Sequence, residues 1–139
     1  MKRLFNTQPL NADAGILFLR LILGGLFAYH GYDAVMHYQE YLGNSIAQKP
    51  RGTIGLGAEF EFVLVVYSQL ICGILIAIGL LTRFSTVPIF IMMAVAVFIA
   101  HKNDDFFAKE KALVFLLMTI PVFIFGSGRY SVDRLIFKK

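Results

Sequence analysis

Residues 14–36 read AGILFLRLILGGLFAYHGYDAVM, and this run decides the class of fold. Arg20 is the only charge from Ala14 to Phe27. From Ala28 onward the run acquires Tyr29, His30, Tyr32 and Asp33. A helix needs roughly 20 residues to cross about 30 Å of hydrocarbon, and the segment has that length. Its polar groups collect at one end, where a spanning helix would leave the lipid.

Three further apolar runs lie downstream: 62–81, 84–100 and 108–125. Backbone groups in lipid must be satisfied within their own segment, so each run is predicted to be helical. The expected helices cover about 14–37, 60–81, 84–101 and 108–126, with a cytoplasmic tail at 127–139. Composition agrees. Hydrophobic residues make up 58% and charged residues 16%, against roughly 45–50% and about 25% in soluble domains. The fold class is therefore all-α: an integral membrane four-helix bundle, up-down, in one domain covering 1–139.

Local punctuation sharpens the boundaries. Asn11 and Asp13 offer N-caps for the first helix. Thr82, Ser85 and Thr86 precede the third, with Pro88 in its first turn. Pro121 falls inside the fourth and should kink it. Residues 43–57, GNSIAQKPRGTIGLG, read as a loop. The basic start MKRLF is read as the head of an uncleaved first helix, because the apolar run is long and carries Arg20.

Lys and Arg set the orientation. With both termini inside, Lys2, Arg3, Arg83, Arg129, Arg134, Lys138 and Lys139 are cytoplasmic. Lys49, Arg51, Lys102, Lys109 and Lys111 are then external. The bias favours this N-in, C-in arrangement. A net charge of +4 thus reflects membrane topology rather than nucleic acid. The single cysteine, Cys72, is read as a small buried hydrophobe, and dithiol chemistry within the chain is excluded.

In that orientation polar groups of all four helices meet near the outer face. His30, Asp33 and His37 fall within about 60° of one another on the first helix. Gln69, His101 and Glu110 come from the other three. Ionisable groups in a bilayer tend to face a bundle interior or a wet cavity. His30, His101 and Glu110 are the candidates for proton handling. Asp33, Gln69, Tyr29 and His37 are the candidates for holding a quinone headgroup. The spacing His-x-x-Asp-x-x-x-His also permits a metal or, with His101, a haem, but diagnoses neither, and no metal is assigned. The bland alternative is a polar cap with tyrosines as an interfacial belt.

Arg20 lies within the lipid on the other side, and a pair with Asp133 is predicted to draw the tail back under the bundle. Gly24, Ala28 and Gly31, and separately Ala96 and Ala100, form small-residue strips suited to close helix approach.

The strings LRLILGGLFAYHG (19–31), GILIAIGLLTRFS (73–85) and above all FGSGRYSVDRL (125–135) resemble the DoxX family of small four-helix bacterial membrane proteins. The resemblance covers about Gly15 to Leu135. It implies a multi-pass protein of the bacterial plasma membrane. Family members are connected with a quinone-reducing thiosulfate oxidoreductase and with membrane redox complexes that handle oxidative stress. The family's marked positions fall on Arg20, His30, Gly31, Gly73, Gly79, Thr82, Arg83, His101, Glu110 and the run Gly126, Gly128, Arg129, Tyr130 to Asp133. Two positions depart. Relatives often carry Lys after the His-Gly pair, where this chain has Tyr32-Asp33-Ala34. They often carry Glu four residues before the glycine of the second helix, where this chain has Gln69. Joint loss of an ion pair avoids a lone buried charge, and Asp33 is the candidate substitute.

The resulting expectation is a quinone-linked redox subunit of a membrane oxidoreductase complex, surrounded by lipid and by other membrane subunits. The alternative is a non-catalytic accessory or assembly subunit. A conduit ranks last, because no filter-like element is present.

Overall fold

The structure is a computed structural model and describes residues 11–137. Helix α1 (Ala12–Met36) starts at Asn11, whose side chain accepts the Ala14 N–H at 3.0 Å. The expected cap is therefore in place. Helix α2 (Tyr38–Gln48) begins almost at once. Then come α3 (Ala58–Ile78) and α4 (Thr82–Ala100), α5 (Phe106–Phe125) and the short α6 (Val132–Phe137). No strand occurs among the described residues.

Two boundaries differ from expectation. The segment read as a loop from residue 43 stays helical to Gln48, because Tyr41 and Ser45 extend the helical hydrogen bonding past the turn at His37. Pro88 sits inside α4 rather than in its first turn, because the helix already starts at Thr82.

Helices α1, α3 and α4 are long and apolar enough to cross a membrane. The expected fourth span does not stand on the same footing. Helix α5 has 20 residues, but Lys109, Glu110 and Lys111 occupy its second turn, leaving a shorter uncharged stretch. Outside the bundle the surface is oily. Phe18, Leu26, Phe60, Ile91, Phe98 and Leu117 are all exposed. In water such a surface would be an aggregation liability; in lipid it is matched to its solvent.

Helices α1 and α3 run antiparallel at very close range. A Cβ added to Gly24 would lie 2.5 Å from Ala77 N and Gly73 O, and one added to Gly31 2.5 Å from Leu70 N. The small strip read on α1 is thus the contact itself. The other principal contact is α4 with α5. The core between the layers includes Leu23, Phe27, Ile76, Ile89, Met93 and Leu116. Cys72 packs at its edge, as a small hydrophobe should.

Both α3 and α4 contain a wider π turn, at Ser68–Cys72 and Ala96–Ala100. Such turns insert a residue and re-aim the side chains beyond it, often at functional sites.

Asp13 accepts the Arg129 N–H at 3.0 Å, so the start of α1 and the tail share one end of the bundle. We call this the basal end, and the opposite one the distal end. Arg20, buried near the basal end, donates to the Tyr130 carbonyl at 2.9 Å. It packs against Gly79, where any Cβ would lie 2.7 Å from the guanidinium. The tail is drawn under the bundle, but not by the expected pair. Among the described residues the close contacts between basic and acidic side chains are His37–Asp33 and His101–Asp104, and Arg20–Asp133 is not among them. Asp133 instead accepts the Leu81 N–H at 2.9 Å, while its own N–H donates to Gly79 O at 3.0 Å. The backbone of the turn between α3 and α4 offers it a better-placed donor than a guanidinium already turned to Tyr130. Asp133→Ala should therefore lower stability by about 1–2 kcal/mol. Asp133→Asn keeps the accepting oxygen and should cost roughly half as much. Melting curves of the two variants in mild detergent check this; equal curves for Asp133→Ala and wild type would refute the clasp.

Candidate functional site

The distal end holds several adjoining cavities, three of which touch Gln69 or His101. The smallest of the three, which we call the inner cavity, has about 280 Å³ and is lined by Phe27 and His30 of α1, Gln69 of α3, Met93 and Ala96 of α4, His101, and Ala108, Lys111, Ala112 and Phe115 of α5. His30 meets the Phe115 ring edge to face at 6.4 Å, and Phe27 lies 5.1 Å from the same ring. A longer groove of about 550 Å³ runs between α3 and α4 past Leu64, Val65, Val87, Ile91 and Met92. It shares Gln69, Met93 and Ala96 with the inner cavity. An outer vestibule of about 520 Å³, lined by Ser45, Lys49, Thr53, Glu61, His101 and Asp104, shares His101 with the inner cavity.

The π turns build this arrangement. Gln69 lies within the first, and His101 comes directly after the second, donating its N–H to Ala96 O at 3.0 Å. In an unbroken α-helix, steps of four residues drift by about 40°. The wider turn corrects that drift, and the stripe Ile89, Met93, Val97 continues into His101, which lines the cavity while its side chain stays partly exposed. His101 Nδ1 lies 2.6 Å from Asp104 Oδ2, which fixes the ring and links it to the vestibule.

Of the sequence-predicted residues, His30, Gln69 and His101 come together. The others do not join them. Glu110 is exposed, because the lining face of α5 is Ala108, Lys111, Ala112 and Phe115, and residue 110 lies beside that face. Tyr29 is 64% exposed, one position around α1 from His30. Asp33 and His37 form a separate surface cluster. His37 Nδ1 lies 3.3 Å from Asp33 Oδ1, and Tyr41 donates to Asp33 Oδ2 at 2.8 Å. That bond to a carboxylate holds the Tyr41 phenol above its ordinary range. The shared helical face was real, but Asp33 and His37 engage each other and Tyr41 and do not line the cavity.

Two residues were not among the sequence-predicted site residues. Lys111 lines the inner cavity opposite His30. Glu61 organises the rim. Its carboxylate accepts the N–H groups of Thr53, Ile54 and Leu56. The glycine spacing of 52–57 was the available signal, because Gly52, Gly55 and Gly57 all take positive φ around that carboxylate.

The family model DoxX matches residues 15–102. The chain belongs to the DoxX family. No curated protein and no solved structure gives a significant match. The DoxX match takes in Arg20, His30, Gly31, Gly73, Gly79, Thr82, Arg83 and His101. It ends before α5 and before the 126–133 motif, so Glu110 and the tail stand outside the matched DoxX segment. Membership in DoxX and three apolar spans make this a multi-pass membrane protein in a lipid bilayer.

Proposed function

We propose that this DoxX-family protein binds a quinone in its distal cavities, as the membrane subunit of a redox complex in a bacterial plasma membrane. The observation that carries the reading is the junction at Gln69, Met93 and Ala96. There a small polar chamber opens into a long apolar groove. A quinone has that shape: a headgroup with two carbonyls and an isoprenoid tail. Ligand pockets commonly combine apolar walls with a few convergent polar groups.

In this reading Gln69 and an imidazole N–H of His30 donate to the quinone oxygens. Reduction takes two electrons and two protons. His101, held by Asp104 at the vestibule, passes protons between the chamber and water. In this reading the electrons come from a partner subunit. The proposed topology is four spans with the basal end cytoplasmic. Arg83, Arg129 and Arg134 at that end support it. Helix α5 completes the fourth span, with Lys109 extending its head to the outer interface.

The test is to purify the protein in mild detergent, extract its lipids and quantify quinone. His30→Ala, Gln69→Ala and His101→Ala should each lower bound quinone about tenfold, the scale of one lost polar contact in an apolar site. Tyr29→Phe and Glu110→Gln, off the cavity, should leave it unchanged. A quinone-free wild-type protein that still co-purifies with a large complex would sink this reading in favour of the accessory subunit.

A further inference from the structure

Among the described residues, the buried side-chain polar atoms without a hydrogen-bond partner are Arg20 Nε and Nη1, Thr82 Oγ1 and Ser85 Oγ. All belong to residues 1% exposed, and all lie toward the basal end, remote from the quinone chamber. Buried polar groups are rarely left unmatched, and each exception asks for a reason. Thr82 also lines a basal cavity of about 410 Å³, together with Arg83, Phe84, Phe125, Ser127 and Asp133.

The wall of that cavity is rich in donors. It includes the first turn of α4, whose N-cap is Leu81, a residue with no capping side chain. The first N–H groups of a helix have no intrahelical partner, and the positive end of the helix dipole lies there. Arg83 donates one N–H to Ile124 O at 3.1 Å, and its guanidinium is otherwise exposed at the wall. The Thr82 hydroxyl is free. Arg20 stands behind the rim, against Gly79. Asp133 is the opposing charge, with one oxygen already engaged by Leu81 N–H. Arg83 and Asp133 are the charged side chains of the lining and offset one another, so the positive bias comes from the N-terminus of α4 and from the buried Arg20 nearby. That bias suits a monoanion better than a dianion.

We propose that this cavity binds a phosphodiester monoanion through the Thr82 hydroxyl, the first-turn N–H groups of α4 and Arg83. A lipid headgroup and a free phosphate both offer oxyanion chemistry. The mouth favours the lipid, because Phe84 and Phe125 on its edge are 78% and 62% exposed, as suits rings lying against acyl chains. The site is independent of the quinone reading and lies at the opposite end of the bundle.

The full-length protein, delipidated in mild detergent, is melted with phosphatidylglycerol, with phosphatidylcholine or with inorganic phosphate. Phosphatidylglycerol should raise the melting temperature in a concentration-dependent way, and phosphatidylcholine less, since its choline cation meets the arginines. Thr82→Val removes the hydroxyl at constant shape. Because that hydroxyl is unmatched in the lipid-free protein, the variant should melt at least as high as wild type without lipid. Its affinity for phosphatidylglycerol should nevertheless fall about tenfold. Thr82→Ser should restore binding, and Arg83→Gln should weaken it at least as much as Thr82→Val. A shift with inorganic phosphate in place of the lipid would assign the site to a soluble phosphate. No shift with either, or equal phosphatidylglycerol shifts for wild type, Thr82→Val and Arg83→Gln, would overturn the proposal.

Discussion

Gly73→Val will leave little or no folded protein in the membrane fraction. A Cβ at residue 73 would sit 2.6 Å from Ala28 N and 2.9 Å from Gly24 O, both backbone atoms of α1. Backbone cannot swing aside as a long side chain can, so α1 and α3 must separate along the whole contact. Overpacking a tight core costs about 1–3 kcal/mol and occasionally more, and here two branched methyl groups are added as well. We expect a cost beyond that usual range, comparable with the whole of a marginal stability of about 5 kcal/mol. The matched control is Gly25→Ala, in α1 beside the seam, with nothing within 4 Å of the added Cβ. It should be neutral or stabilising by up to about 1 kcal/mol, since alanine is the better helix former. Melting both proteins in detergent decides the matter. Equal behaviour of the two variants would mean that the glycine seam is not what joins the helices.

Glu61→Gln should open the rim of the distal cavities and lower stability by about 2–3 kcal/mol. The native carboxylate only accepts, and three backbone N–H groups converge on it, from Thr53, Ile54 and Leu56. An amide has one accepting oxygen and a donating nitrogen. Whichever way it turns, its NH2 group must face at least one N–H, leaving that donor unpaired. Glu61→Asp, too short to span the turn, should cost a comparable amount. Because Thr53, Ile54 and Glu61 line the groove and Thr53 and Glu61 the vestibule, loosening them should also speed protease cleavage within 49–57. Limited proteolysis of wild type and Glu61→Gln is the direct measurement. An uncleaved, normally melting Glu61→Gln protein would show that the segment is held by something else.

The candidate site was legible in part. His30, Gln69 and His101 stand out as polar residues in oily runs, and they do meet in one cavity. Helical phase carried the reading too far for Asp33 and His37, which share the face of His30 but pair with each other at the end of α1. It misjudged α5 by one residue, choosing Glu110 where Lys111 lines the cavity. A lone helix has no reference direction until its neighbours fix one. Asp133 was recognised as important to the tail, but its partner turned out to be a backbone N–H, a kind of donor no residue pattern reveals.

By itself the sequence determined the solvent and the class of element. Long apolar runs with few charges can only be helices in lipid, and that conclusion needs hydropathy and backbone hydrogen bonding alone. It also determined the α1 seam, since glycine and alanine at helical spacing permit an approach that larger residues forbid. Only the tertiary structure decided which polar groups face a common space. The π turns at 68–72 and 96–100 re-aim Gln69 and His101, and neither is written in a period of 3.6. The unpartnered Thr82 hydroxyl and Arg20 guanidinium likewise became visible only when packing closed around them. An unmatched donor is a property of its surroundings, not of its residue type.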